Sequence, residues 1–331
     1  MKINLIYDFP IYSMSINLVE QELLRRGHEV VITRERFRPD LSCDCSLAIM
    51  GNPLTKGSRP RFFMEHGVSI TKRQLYDLPI DCFIAFSDSW ASYVKREMDE
   101  VYGYHYDIRI AGYPKADEIL KRKGKTCEIC YDIHKDFKLD DRKKLVTYFP
   151  TYRQADGRWN EFRSIFTRSV KMEEVYNVLK DNFYIFVAPH YLESWERNMN
   201  IPVERILPFD ADVRLNFLVS SDCIITDTSG MAYEASVADV PIVLLGREDM
   251  GKSYFVVRMN EKDPYKEELE YLDIGPVADL SNLVSCIGSA DTTYYSDRRS
   301  YWAKKACGVL DGHATERVVD VIENYMKEVR K

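Results

Sequence analysis

The sequence predicts an α/β protein built from two doubly wound domains, and three observations carry that prediction. Short apolar runs alternate with stretches of helical length and amphipathic pattern. The runs lack strict polar alternation, as strands covered on both faces of a parallel sheet do. The alternation breaks over a charged stretch at 121–143 and then resumes, so the chain divides into a first domain at 1–120, a connection at 121–143, a second domain at 144–310 and a closing C-terminal helix at 311–331.

The first series opens with the strand Ile3-Asn4-Leu5-Ile6-Tyr7, a helix near Ser15 to Arg26 ended by Gly27, and the strand Glu29-Val30-Val31-Ile32-Thr33, which is the start of a βαβ unit. The apolar runs Ser46 to Met50, Arg61 to Met64 and Cys82 to Phe86 continue it, with a helix from about Ser89 to Tyr102. The second series has strands at Lys144 to Phe149, Tyr184 to Ala188, the run before Asp227, and Val240 to Leu245, with a helix near Met172 to Asp181. The last helix, Ala314 to Lys331, groups Val318, Val321, Ile322, Tyr325 and Val329 on one face. Two such domains facing each other hold their ligand at the carboxyl ends of the strands, which makes the cleft between them the expected site.

At 331 residues, with 45% hydrophobic and 12% aromatic content, the chain has ample material for two cores. The formal net charge of -6 argues against a nucleic-acid partner. No apolar run approaches the roughly 18 residues of a membrane span, and the first residues are soon charged, so a cytoplasmic protein is expected. The 8 cysteines are spread along the chain, with Cys82 and Cys223 in strand-like runs as reduced core thiols. Cys127-Glu128-Ile129-Cys130 and Cys43-Asp44-Cys45 do not form the paired halves of a zinc site, and no metal is expected.

The segment Ile225-Thr226-Asp227-Thr228-Ser229-Gly230-Met231-Ala232-Tyr233-Glu234 reads as a buried strand, a small-residue turn and a helix start. The first N–H groups of a helix have no intrahelical partner and sit at the positive end of its dipole, so Thr228, Ser229 and Gly230 can hold an anionic diphosphate. Glu234, about one turn inside, is placed to accept from a ribose. An ordinary Thr/Ser cap gives the same pattern. His66 follows a strand of the first domain and suits a general base, its ordinary pKa being near 6.5. His190 follows a strand of the second domain and can donate to phosphate oxygens or a leaving group. Thr151 and Arg153 also follow a strand, and an arginine there can grip phosphate through two donors. Asp311-Gly312-His313-Ala314-Thr315-Glu316-Arg317 precedes the last helix, where Asp311 can act as its N-cap or Thr315 and Arg317 can touch the ligand.

In their order along the chain, His66-Gly67, Gly112-Tyr113-Pro114-Lys115-Ala116-Asp117, Tyr148-Phe149-Pro150-Thr151-Tyr152-Arg153, Pro189-His190, Ile225-Thr226-Asp227-Thr228-Ser229-Gly230, Gly275-Pro276-Val277 and the Asp311 to Arg317 segment resemble the CDP-glycerol glycerophosphotransferase family, the teichoic acid polymerases and primases. The resemblance implies a GT-B-like fold of two Rossmann-like domains. It implies transfer of glycerol phosphate or ribitol phosphate from a CDP-alcohol donor to a hydroxyl of a surface-polymer or glycolipid acceptor, with release of CMP. It also implies catalytic roles for His66 and His190, donor-phosphate contacts from Asp227, Thr228, Ser229 and Gly230, no cofactor beyond the activated donor, and work at the inner face of the cell membrane through weak peripheral contact.

Where family members commonly carry Tyr-Ser-Ser, this chain has Thr228-Ser229-Gly230, a turn that also resembles the diphosphate site of UDP-N-acetylglucosamine epimerases. A UDP-sugar enzyme of the same fold therefore stands beside the CDP-alcohol reading, as does a non-catalytic nucleotide-binding scaffold. The start of the chain at its first strand points to a compact single-transfer enzyme rather than a processive polymerase.

Overall fold

A computed structural model describes residues 1–7, 13–33, 41–49, 59–65, 67, 80–97, 105–140, 142–150, 171–190, 200–227, 229–245 and 273–331. The chain forms two compact units, Met1–Lys121 with Ala303–Lys331, and Arg122–Trp302. The C-terminal segment thus belongs to the unit built by the N-terminal residues, and the second unit ends at Trp302 rather than at 310.

In the first unit the strands β1 (Lys2–Ile6), β2 (Glu29–Thr33), β3 (Cys45–Ala48), β4 (Arg61–Met64), β5 (Cys82–Ala85) and β6 (Asp107–Ile110) form one sheet in the order β2-β1-β3-β4-β5-β6. Every pairing is parallel. The apolar runs become strands because the sheet is buried on both faces: each residue of β3 and β5 is below the surface. One face, with Ile6, Ala48, Phe63, Phe83 and Ala85, packs on Trp90 and Val94 of α2 (Asp88–Glu97). Phe62, on a neighbouring register position, meets Tyr325 of α10 (Ala314–Val329) edge to face at 5.2 Å.

Helix α10 also lies along α1 (Ser13–Arg25). Its buried residues are Ala314, Val318, Val319, Ile322 and Met326, so the apolar face sits slightly round from the expected one, and Val329 is 53% exposed. Arg26 ties the two helices together. Its guanidinium donates to Glu22 Oε1 at 2.7 Å, to Asp320 Oδ1 at 2.5 Å and to the Glu316 carbonyl at 3.1 Å. Glu22, only 8% exposed, also accepts from Arg25 at 2.6 and 2.7 Å. These hydrogen bonds, that of Arg25 foremost, hold the Glu22 carboxyl down at about 2 although burial opposes them.

The start of α10 is capped from elsewhere in the chain. Its N-cap residue, His313, makes no side-chain cap. Instead Asp117 of α3 (Pro114–Lys123) accepts from Ala314 N at 3.0 Å, Thr315 N at 2.8 Å and Thr315 Oγ1 at 2.8 Å. Asp311, expected as the cap, accepts from Arg317 Nη1 at 2.9 and 2.8 Å, and Arg317 Nε donates to the Ala111 carbonyl at 2.7 Å. The close fit explains Gly112: at φ +96 it has left-handed backbone, and a Cβ there would lie 2.9 Å from that of Ala314.

The second unit has β7 (Leu145–Phe149), β8 (Tyr184–Val187), β9 (Cys223–Thr226), β10 (Ile242–Leu245) and β11 (Val277–Ala278) in the order β11-β10-β9-β7-β8, again all parallel. α5 (Met172–Leu179) and α8 (Leu283–Ser289) contribute Val175, Leu179, Leu283 and Ile287 to the core with Val146, Ile225 and Val243. On Phe186 of the sheet, Phe137 and Phe217 pack with centroids 5.0 and 4.7 Å away.

The stretch at 121–143, expected as a connection, is largely helical and belongs to this unit. α4 (Thr126–Asp136) packs on α6 (Ala211–Ser220). Its apolar face is one residue wide, with Ile129, buried Ile133 and then Phe137 at four-residue spacing, and the charged remainder hides it from a composition-based reading. Arg122 fastens the same place, donating to the Asp212 carbonyl at 3.0 Å and to the side chains of Asp212 and Asn216.

Two stability predictions follow from the α10 contacts. Replacing Asp117 by Ala leaves the first N–H groups of α10 without their acceptor, and urea denaturation should show a loss of about 1–2 kcal/mol, with Asp117→Asn milder. Glu22→Gln should cost about 2 kcal/mol at pH 7. Because the folded carboxyl titrates below its ordinary value, its stabilisation is full above about pH 4.5 and fades as pH falls to about 2. The gap between variant and wild type, followed by denaturation across that range, should close; a constant gap would contradict the assigned ion pair.

Candidate active site

The carboxyl edge of the second sheet is where the chain collects chemistry-bearing residues. The pairings Tyr148↔Val187, Tyr148↔Ile225 and Phe149↔Thr226 set the ends of β8, β7 and β9 at one level. Two bonds seal this level: Thr226 Oγ1 donates to the Phe149 carbonyl at 2.8 Å, and Ala188 N to the Tyr148 carbonyl at 2.9 Å. The segment after β8, with His190, and the turn after β9 therefore leave the same edge two strand spacings apart, roughly 10 Å.

The turn after β9 leads into α7 (Met231–Ala238). Gly230 is its N-cap residue and makes no side-chain cap. Ser229 Oγ accepts weakly from Met231 N at 3.3 Å, the Ser229 carbonyl accepts from Ala232 N at 3.1 Å, and the Gly230 carbonyl from Tyr233 N at 3.1 Å. Among the described residues the N–H groups of Ser229 and Gly230 carry no hydrogen bond, and both residues are half-exposed. Open donors at the positive end of a helix form an anion site. Asp227 and Glu234 flank the turn at 1% and 5% exposure, so both carboxylates are buried beside it.

The far end of α7 is fixed in a way the sequence did not announce. Asp239, at φ 55, ends the helix, and its carboxylate accepts from Arg299 Nε at 2.8 Å and Ser296 Oγ at 2.9 Å. Arg299 is 1% exposed. An Asp directly after a short helix was the available signal, but its partners lie 57 and 60 residues away.

His190 is half-buried beyond β8. The carbonyl of the preceding Pro189 accepts from Arg214 Nη2 on α6 at 2.8 Å, a contact with no local sequence signal. His66 lies outside the described residues, one past Glu65, which is 2% exposed at the end of β4. Thr151, Arg153 and Thr228 are likewise outside them. Thr315 and Arg317 belong to the first unit, where Thr315 is bound to Asp117 and Arg317 to Asp311 and Ala111.

Gly275 of the Gly275-Pro276-Val277 motif lies against β10, where a Cβ would come 1.8 Å from the Ile242 carbonyl, and the Pro276 carbonyl accepts from Leu244 N at 2.9 Å. That motif closes the sheet. The thiols of Cys82 and Cys223 are buried, and burial pushes that of Cys223 up to about 12. No group of three or more His, Cys, Asp or Glu among the described residues is arranged to hold a metal ion.

Comparison with known proteins gives the family and the fold. The family model described as CDP-Glycerol:Poly(glycerophosphate) glycerophosphotransferase matches residues 65–324. The chain is 26% identical over 227 residues to the teichoic acid poly(glycerol phosphate) polymerase of Staphylococcus epidermidis, covering 66% of this chain and 30% of that one. It is 25% identical over 214 residues to the teichoic acid glycerol-phosphate transferase of Staphylococcus aureus, covering 64% and 53%. The chain thus spans about a third to a half of these relatives. A solved structure of the wall teichoic acid polymerase TagF superposes with a TM-score of 0.65 at 15% identity, over 98% of this chain and 89% of that one. The UDP complex of Staphylococcus aureus MnaA gives 0.59 at 15% identity, over 100% and 98%. The fold is that of TagF, parallel α/β and GT-B-like. With 65–324 matched in order, the chain belongs to the CDP-glycerol:poly(glycerophosphate) glycerophosphotransferase family.

Proposed function

We propose that this chain transfers glycerol phosphate or ribitol phosphate from a CDP-alcohol to a hydroxyl of a teichoic acid-type polymer or its glycolipid precursor, releasing CMP. The family match over 65–324 carries the proposal, and the open N–H groups of Ser229 and Gly230 give the donor's diphosphate a resting place. One TagF structure was obtained after a soak with CDPG.

In the proposed reaction the acceptor oxygen attacks the phosphorus that carries the alcohol. The bond from that phosphorus to the bridging oxygen breaks, and CMP leaves with the bridging oxygen. His66 takes the proton of the acceptor hydroxyl, and His190 donates a hydrogen bond to the phosphate oxygens or the leaving CMP. The turn at Asp227 to Gly230, with Thr151 and Arg153, stabilises charge on the phosphates, as phosphoryl transfer requires. Glu234 accepts from the ribose. Thr315 and Arg317 support the site through the fold of the first unit, the role their hydrogen bonds favour over direct phosphate contact. No helix among the described residues is long and apolar enough to cross a membrane, and the proposed setting is the cytoplasmic face of the membrane, by peripheral contact.

A second reading has one specific feature behind it: Thr228-Ser229-Gly230 followed by Glu234 also suits a UDP-sugar epimerase or glycosyltransferase. Incubation with CDP-glycerol, CDP-ribitol and UDP-N-acetylglucosamine separates the two. CMP release from a CDP-alcohol in the presence of a hydroxyl acceptor is expected; turnover of the UDP-sugar with no CMP release overturns the proposal. His66→Ala and His190→Ala should each lower the CMP release rate by roughly 100-fold or more with the donor KM little changed. Ser229→Pro, which removes one of the open N–H groups, should instead raise the donor KM.

A further inference from the structure

At the end of β8 the backbone, still paired with β7, gains a second neighbour. Leu207 N donates to the Val187 carbonyl at 2.8 Å, and Val187 forms a parallel bridge with Ile206. The pairing then meets Pro189 on one side and Pro208 on the other. Neither proline has an N–H to give, so the ladder stops there, and the carbonyls of both prolines accept from a side chain instead.

Arg214 supplies that side chain. Its Nε donates to the Pro208 carbonyl at 2.7 Å and its Nη2 to the Pro189 carbonyl at 2.8 Å. The guanidinium also lies over the Phe209 ring at 4.8 Å. Its position in the first turn of α6 is itself set by Asp210, whose side chain accepts from Val213 N at 2.8 Å. No carboxylate among the described residues pairs with Arg214.

The Pro189 carbonyl and the His190 N–H share one peptide plane. A donor that fixes the carbonyl fixes the plane and with it the His190 N–Cα bond, which leaves rotation about that bond as the backbone freedom that aims the side chain. A planar fork holds the two carbonyls from separate nitrogens in a fixed geometry, whereas a lysine's three donors radiate from one freely rotating nitrogen.

We propose that Arg214 is a positioning residue for His190, using its two-carbonyl clamp to set the Pro189–His190 peptide at the carboxyl edge of the sheet. The inference rests on the role given to His190 above, so its test separates the two. Kinetics of CMP release from CDP-glycerol are measured for Arg214→Ala, Arg214→Lys, His190→Ala and the double Ala variant. Spectra of protein labelled at the histidine ring carbons are recorded alongside, the His190 signal being identified by its loss in His190→Ala.

Arg214→Ala is expected to lower kcat roughly 10-fold or more with the donor KM within about twofold, and Arg214→Lys to restore only part of it. In the His190→Ala background the Arg214→Ala change should have no further effect, because the clamp acts through that imidazole. The His190 ring signal should shift or broaden in Arg214→Ala, a readout that needs no turnover. Full additivity of the two Ala changes, or an unmoved ring signal in folded Arg214→Ala protein, overturns the inference. A wild-type rate in His190→Ala removes the catalytic role of His190 and the clamp's functional role with it, whereas a moved ring signal in an enzyme inert toward CDP-glycerol keeps the clamp and overturns the donor reading.

Discussion

A sheet whose strands all run one way delivers every carboxyl end to the same edge, and the rest of this structure depends on that constraint. In the second unit β8, β7 and β9 end at one level, tied by the Thr226 to Phe149 and Ala188 to Tyr148 bonds. Backbone beyond that level has left the ladder, so its polar groups must find other partners. Three solutions appear side by side. Arg214 takes the carbonyls of Pro189 and Pro208, the start of α7 leaves donors open at Ser229 and Gly230, and Thr226 turns its hydroxyl back onto Phe149. The groups left unsatisfied by the sheet are the ones available for a ligand.

The same view separates the family's short motifs by what they do. Gly275-Pro276-Val277 closes the sheet against β10, where the 1.8 Å approach to Ile242 leaves no room for a side chain. Gly112 to Asp117 and Asp311 to Arg317 lock onto each other through the Asp117 cap and the Arg317 bonds to Asp311 and Ala111. Through these bonds two distant stretches fit together and close the first unit around α10. The turn at Ser229 and Gly230 differs in kind: its donors point to no part of the fold among the described residues.

The sequence was legible where local chemistry decides structure. Buried parallel strands read as continuous apolar runs, and the strand and helix start on either side of Ser229 read from residue type alone. It was opaque where the partner is remote. Asp117 caps a helix that begins almost 200 residues later, at separations of 197 and 198, and the adjacent Asp311 was the reasonable local candidate. Helix α4 escaped notice because Ile129, Ile133 and Phe137 form an apolar line one residue wide among charges. The division of the chain was misjudged for a related reason. Covalent order places 303–331 after the second unit, while Phe62 with Tyr325, and Arg26 with Asp320, return it to the first.

The same fold is found in a teichoic acid polymerase and in structures that hold UDP or a UDP-sugar. N–H groups at a helix start read charge and the geometry of a diphosphate, and those are the same in CDP and UDP. The two bases differ at the pyrimidine edge, where cytosine offers an amino donor and uracil a carbonyl acceptor. Discrimination there needs a complementary hydrogen-bonding group, because a wrong base leaves that group buried and unpaired at a cost of about 1–3 kcal/mol. The open donors at Ser229 and Gly230 therefore suit a nucleotide diphosphate of either base. A choice between the two bases needs side chains beyond this turn, because its backbone donors meet only the phosphates.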